Sequence, residues 1–169
     1  MRTLLVLRHA KSSWKGAGLA DHDRPLNKRG RHDAPRMGSL VKRLGLVPDR
    51  IVSSTAVRAW ATAQEVANHA GYTGEILSDR LLYLAGPSTL VEVVRAAGAD
   101  AGERVMLVGH NPGSQELVWW LTGEDEDFPT AALAQIELPI DDWTDLRLSP
   151  RGRLAGLWRP KELPDDDPR

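Results

Sequence analysis

Two histidines and two arginines stand where this sequence could do chemistry on an anion. Arg8 and His9 end the apolar run "TLLVLRHA", Arg58 lies in "SSTAVRAWATA", and His110 lies in "LVGHNPGSQEL". Each stretch follows a short apolar segment and leads into a helical pattern. In an open parallel sheet, ligands bind beyond the carboxyl ends of the strands, where loops enter helix amino termini. Three strand ends would therefore deliver these four side chains to one edge of a sheet. Guanidinium forks match the oxygens of a phosphoryl group, and free N–H groups at helix starts add donors. A neutral imidazole is a competent nucleophile toward phosphorus, and its ordinary pKa of about 6.5 keeps much of it neutral at pH 7. Neighbouring arginine charge disfavours imidazolium, so the pocket should help to hold His9 unprotonated.

The elements that must position these groups read as alternating strands and helices. Apolar runs at Leu4–Leu7, Ile51–Val52, Val105–Val108 and Ala131–Leu138 read as strands, with weaker runs at Arg153–Trp158 and Glu75–Leu77. Helical spacing recurs in Trp60, Ala63, Val66, Ala67 and Ala70, in Leu90, Val93, Val94 and Ala97, and in Leu117, Val118 and Leu121. Met37, Leu40, Val41 and Leu44 form another such face, which Gly45 should cap. Pro35 predicts a kink or a late start in that helix. Ser54 or Thr55 is expected to cap the helix carrying Arg58, and Asn111 the helix after His110, with Pro112 at its first position. The expected fold class is α/β, a three-layer sandwich with a mostly parallel sheet and helices on both faces.

Bulk properties narrow the field. With 169 residues, 41% hydrophobic and 27% charged, the chain suits one globular domain over 1–160, followed by an extended, acidic, proline-rich tail over 161–169. A formal net charge of −1 argues against a general nucleic-acid or membrane-surface binder. The absence of cysteine excludes disulfides, thiolate metal sites and cysteine nucleophiles. The first apolar run is too short for a signal or a membrane span, so the expected location is cytoplasmic.

The stretches "LVLRHAKS", "RPLNKRG", "VSSTAVRAWATA" and "LVGHNPG", in that order, resemble the histidine phosphatase superfamily, with its phosphoglycerate mutase-like fold. The branch they are most similar to is the small SixA-type phosphohistidine phosphatases. The resemblance runs from Thr3 to Leu163 and includes "DDWTDL" and "WRPKEL". It implies that His9 becomes phosphorylated, that Arg8, Arg58 and His110 hold the phosphoryl group, and that Arg24 contacts substrate at the pocket rim. It implies no metal and no other cofactor. The partner would be a phosphohistidine-bearing protein or a small phosphorylated metabolite.

One departure bears on mechanism. Many members carry a glutamate after the third strand as general acid, whereas this chain reads "DRLLYLAGPS", with Tyr83 near that place. Asp21 in "LADHDRPL" and Asp79 are the carboxylate candidates, and neither need serve. Imidazole leaving a phosphohistidine can be protonated on its far nitrogen, so a missing acid favours an N–P bond over an alkyl ester. Arg24 could instead pair with Asp21 or Asp23. Lys11, Ser12 and Ser13 read equally as substrate contacts or plain loop. His22, His32 and His69 read as surface residues, "DHD" does not read as a metal site, and Trp119, Trp120 and the other tryptophans read as core and rim packing. Two further readings stand beside the phosphohistidine phosphatase: a metabolite phosphomonoesterase or mutase of the same superfamily, and a phosphate-binding module without turnover.

Overall fold

The computed structural model describes residues 1–164. Six strands form one sheet: β1 (Arg2–Arg8), β2 (Arg50–Ser53), β3 (Ile76–Ser78), β4 (Arg104–Gly109), β5 (Leu133–Leu138) and β6 (Arg153–Trp158). Their order is β3-β2-β4-β1-β5-β6. The first four run parallel, while β5 lies antiparallel to β1, and β6 antiparallel to β5. The sheet is thus mostly parallel, with β5 the one reversed strand.

Alternation along the strands sorts the core into two layers. Leu4 and Val6 of β1 join Val105 and Leu107 of β4 on one face, against α3 (Pro87–Gly98) and α4 (Gly113–Thr122). Leu5, Leu7, Met106 and Val108 face the other way, against α1 (Lys28–Arg43) and α2 (Val57–Ala70). Being covered on both sides is why these strands read as unbroken apolar runs. Each fully buried leucine is worth about 2–5 kcal/mol relative to alanine at such positions.

Several local expectations need correction. Helix α1 starts at Lys28, capped by the Asn27 side chain accepting from the Gly30 amide at 2.9 Å, so Pro35 does not delay it. Its far end is closed as expected by Gly45, which stands in the left-handed region just after Leu44 while the Leu46 amide reaches back to the Val41 carbonyl at 2.9 Å. Ala56, not Ser54 or Thr55, stands at the cap of α2: the Ser54 hydroxyl accepts from the Ala56 amide at 3.2 Å, short of the helix, and meets His110, while Thr55 meets His22. Pro112 takes the cap position of α4, one residue later than expected, while the Asn111 side chain still accepts from the Gln115 amide at 3.2 Å. Trp119 and Trp120 are half-exposed and meet edge to face rather than packing in the core, where Trp143 lies.

Arg159 pairs with Glu126 and Glu162, and the Arg36 guanidinium donates to the Pro164 carbonyl at 3.2 Å. Leu163 packs on the layer beneath α1 and α2. The remainder of the expected tail, 165–169, lies outside the described residues.

Candidate active site

Register brings the strand ends level. Arg8 stands opposite Gly109, and Ser53 opposite Val108. Two more backbone bonds carry the ladder past the strands: the His9 amide donates to the Gly109 carbonyl, and the Ser54 amide to the Val108 carbonyl, both at 3.0 Å. Residues 9, 54 and 110 therefore share one edge, as the alternating pattern requires. The His9 and His110 rings lie 5.2 Å apart between centroids.

They line a cavity of about 350 Å³ together with Arg8, Arg24, Arg58 and Asp21. All five of the expected phosphate-handling residues (Arg8, His9, Arg24, Arg58 and His110) are thus brought together. Arg8, from the end of β1, donates to the Phe128 carbonyl at 3.1 Å. Arg58, in the first turn of α2, is 2% exposed. Arg24 donates to Asp21, to the Ser12 hydroxyl at 2.7 Å and to the Ser13 carbonyl, and its guanidinium stacks on Trp14 at 3.5 Å. The buried side-chain polar atoms without a partner among the described residues include Arg8 Nε, Arg58 Nε and His110 Nδ1. Such exceptions are uncommon in a folded chain, and three of them gathering here marks this edge as unusual.

The ring of His9 has one assignable tautomer. Its Nδ1 lies 2.7 Å from the Ala10 carbonyl, which can only accept, so Nδ1 carries the hydrogen and Nε2 keeps its lone pair. Burial pushes the His9 pKa down to about 4, with the charges of Arg58, Arg8 and Arg24 adding to the fall and the Ala10 bond opposing it. Arginine charge was the cause expected from sequence; desolvation is the larger one. His110 is pushed down to about 3, again chiefly by burial, then by His9 and Arg58. Its Nε2 lies 2.8 Å from the Ser54 hydroxyl.

Asp21 does not fit the role of general acid. Its carboxylate meets Arg24 Nε and Arg58 Nη2, each at 3.0 Å, and accepts from the Tyr83 hydroxyl. These donors hold it far below the usual carboxylate range, so it is ionised at neutral pH. Donation to Asp21 in turn raises the Tyr83 pKa. Asp79 is not at the site: it caps a short 3₁₀ turn by accepting from the Leu81 amide, and it borders a different cavity. One carboxylate against Arg8, Arg24 and Arg58 leaves the pocket with an excess of positive charge.

Sequence reasoning passed over several members of this neighbourhood. His22, read as a surface residue, places Nε2 at 2.8 Å from the Thr55 hydroxyl and its ring edge-on to Tyr83. Thr62 accepts from the Ala10 amide at 2.9 Å and donates to the Arg58 carbonyl at 2.7 Å. Leu84, at φ 52, and Ala131, at φ 62, are the non-glycine residues in the left-handed region, a conformation that costs roughly 1–2 kcal/mol. Leu84 lines the pocket, and the Ala131 amide is shared between the carbonyls of Arg8 and His9. Adjacency of His22 to Asp21 was the available signal; nothing in the sequence marks the other three.

Comparison with known proteins agrees with this geometry. Residues 4–82 match the model of the histidine phosphatase superfamily (branch 1). An uncharacterized protein of Mycobacterium tuberculosis is 32% identical over 151 residues, spanning 83% of this chain and 91% of its own. A crystal structure from Agrobacterium tumefaciens, assigned as the phosphohistidine phosphatase SixA, is 30% identical; the match covers 94% of this chain and 98% of that one, with a TM-score of 0.77. The protein histidine phosphatase SixA solved with tungstate has the same fold, with a TM-score of 0.79 at 22% identity over 94% of this chain and 97% of its own. With relatives matched along nearly their whole length and both histidines at one sheet edge, the chain belongs to the histidine phosphatase superfamily and is a phosphatase of the SixA type.

Proposed function

We propose that this chain is a metal-independent, cytoplasmic phosphatase that removes the phosphoryl group from phosphohistidine on a protein, by way of a phosphorylated His9. The observation that carries the reading is the His9 ring: neutral, with Nδ1–H committed to Ala10 and Nε2 unprotonated, beside three guanidinium groups. The Nε2 lone pair attacks phosphorus as the bond from phosphorus to the substrate nitrogen breaks, and that nitrogen's electron pair returns to the leaving imidazole. Arg8, Arg58, His110 and Arg24 hold the equatorial oxygens, where charge is spread during transfer. A water oxygen then attacks phosphorus, the N–P bond to His9 breaks with its electron pair returning to Nε2, and orthophosphate leaves as one proton of the water passes to solvent.

Three guanidinium charges take the place that a cation fills in other phosphoryl-transfer sites. Among the described residues, no group of three or more His, Asp or Glu side chains is arranged to hold a metal ion. The ionised Asp21 bears on the substrate. A site whose nearest carboxylate is unprotonated suits a leaving group that needs no strong acid, and imidazole is one, since its far nitrogen takes up the proton.

The test is to incubate the enzyme, with chelator present, with labelled phosphohistidine protein, an alkyl phosphate and p-nitrophenyl phosphate. The expected results are acid-labile label on the wild type, none on His9→Ala, and poor turnover of the alkyl ester. Label retained by His9→Ala would remove that residue from the nucleophile's role. Turnover of the alkyl ester as efficient as that of phosphohistidine would favour a metabolite substrate.

A further inference from the structure

Beside the catalytic pocket runs a second and larger hollow, a groove of about 990 Å³, which shares Lys11, Ser12 and Trp14 with the pocket. Its floor is tied down. The loop at Ser12 and Ser13 is bridged to Pro25 and Leu26, the Asn27 amide donates to the Lys11 carbonyl at 3.0 Å, and Gly30 passes so close that a Cβ would lie 2.1 Å from the Lys11 oxygen. The groove therefore exists before any ligand arrives.

Its walls are basic. Lys11 and Lys15 come from the loop, and Lys28, Arg29 and Arg31 from the start of α1; no carboxylate lines it among the described residues. Arg29 pairs with Asp33 and Arg31 donates to the Leu26 carbonyl, whereas Lys11, Lys15 and Lys28 form no ion pair among the described residues. On a chain with a net charge of −1, this is a local concentration of one sign. Two of these cations also stand in the first turn of α1, which holds no acidic residue. Positive charge there opposes the helix dipole, an arrangement that an external anion would relieve.

Apolar side chains share the same lining. Pro25 and Trp14 are exposed, Trp14 at 79%, with Arg24 stacked on the indole. A single second phosphate would need donors converging on one point. These cations instead come from two segments, 11–15 and 28–31, and share the groove with exposed Trp14 and Pro25, which matches a peptide carrying several carboxylates.

We propose that this groove seats an acidic stretch of the phosphorylated protein substrate, its carboxylates lying on Lys15, Lys28 and Arg29 while the phosphohistidine enters the adjoining pocket. The inference rests on the reading of that pocket as a site for protein phosphohistidine. It adds the chemistry by which the partner is chosen: charge complementarity that fixes register and speeds encounter.

The experiment uses the full chain and the double charge reversal Lys15→Glu/Lys28→Glu, both residues exposed and outside the catalytic set. The probes are a phosphohistidine peptide with glutamates flanking the phosphorylated residue, the same peptide with glutamines, p-nitrophenyl phosphate, and a fluorescent glutamate-rich peptide without phosphate. The reversal should raise KM for the acidic peptide about tenfold or more, leave its kcat unchanged, and leave the glutamine peptide and p-nitrophenyl phosphate unaffected. Raising NaCl from about 50 to about 300 mM should weaken the acidic peptide on the wild type and hardly on the variant. Anisotropy of the unphosphorylated peptide reads the groove without turnover, so the docking surface stands or falls independently of the phosphohistidine assignment. Equal KM changes for both peptides, no change for either, or a charge-reversal effect confined to a bisphosphorylated sugar would overturn the proposal. So would an oligonucleotide binding the groove more tightly than the acidic peptide.

Discussion

Asp21 offers Arg58 both its carboxylate and its own backbone carbonyl: Arg58 Nη2 meets the carboxylate at 3.0 Å, and Nη1 meets the carbonyl at 2.6 Å. The loop that carries Asp21 thereby occupies the guanidinium that the proposed reaction assigns to phosphate. In that reaction an incoming phosphoryl group would compete with an internal anion for the same fork. Asp21→Asn should strengthen inhibition by orthophosphate several-fold, while kcat for p-nitrophenyl phosphate changes less than about tenfold, the range of one exposed charge contact. A fall of kcat by roughly a hundredfold or more on every substrate would restore Asp21 to the chemical step.

Truncating Arg58 tests the grip itself. Arg58→Ala should lower kcat/KM by about 10²–10³, as the loss of one preorganised donor to a charged transition state does. Arg58→Lys should recover only part of this, since an ammonium cannot present a planar fork. Stopped-flow measurement of phosphoenzyme formation separates this loss from any change in product release.

The two histidines make stability depend on pH. Both have folded pKa values below the ordinary 6.5, at about 4 for His9 and about 3 for His110, chiefly through burial. Between pH 6.5 and about 4 the unfolded chain binds more protons than the folded one, so stability is complete above that window and lost as pH falls through it. For His9 alone this amounts to roughly 3 kcal/mol. Urea unfolding at several pH values should show the decline, and His9→Asn should make it shallower. For the same reason, single-turnover phosphorylation of the enzyme should not fall away with a midpoint near 6.5.

Close approach at Gly113 gives a structural check. A Cβ there would lie 2.0 Å from the Ala85 carbonyl, next to the strained Leu84. Gly113→Ala should destabilise the chain by about 1–3 kcal/mol, the usual cost of overpacking, with a matching fall in Tm. Displacement of α4 should also shift the His110 ring and raise KM for phosphate esters.

Much of this was legible in the sequence because it follows from periodicity. The burial of Leu4–Leu7 on both faces, the placing of Arg8 and His9 just beyond them, and the delivery of His110 by the Val105–Val108 strand all come from the rule for parallel sheets. What escaped were contacts between segments distant in the chain. The first turn of α2 looked like a side-chain cap, yet Ser54 meets His110 and Thr55 meets His22, partners 56 and 33 residues away. No local propensity encodes those choices. The same holds for Asp21, whose pKa is lowered further by Tyr83 and Arg58, 62 and 37 residues along the chain.

Thr62 joins the loop of His9 to the helix that carries Arg58, holding the Ala10 amide and the Arg58 carbonyl with one hydroxyl. The imidazole and the guanidinium are consequently mounted on a common bracket. Any movement of the loop after β1 is therefore passed to the helix that carries Arg58, so these two walls of the pocket shift together or not at all.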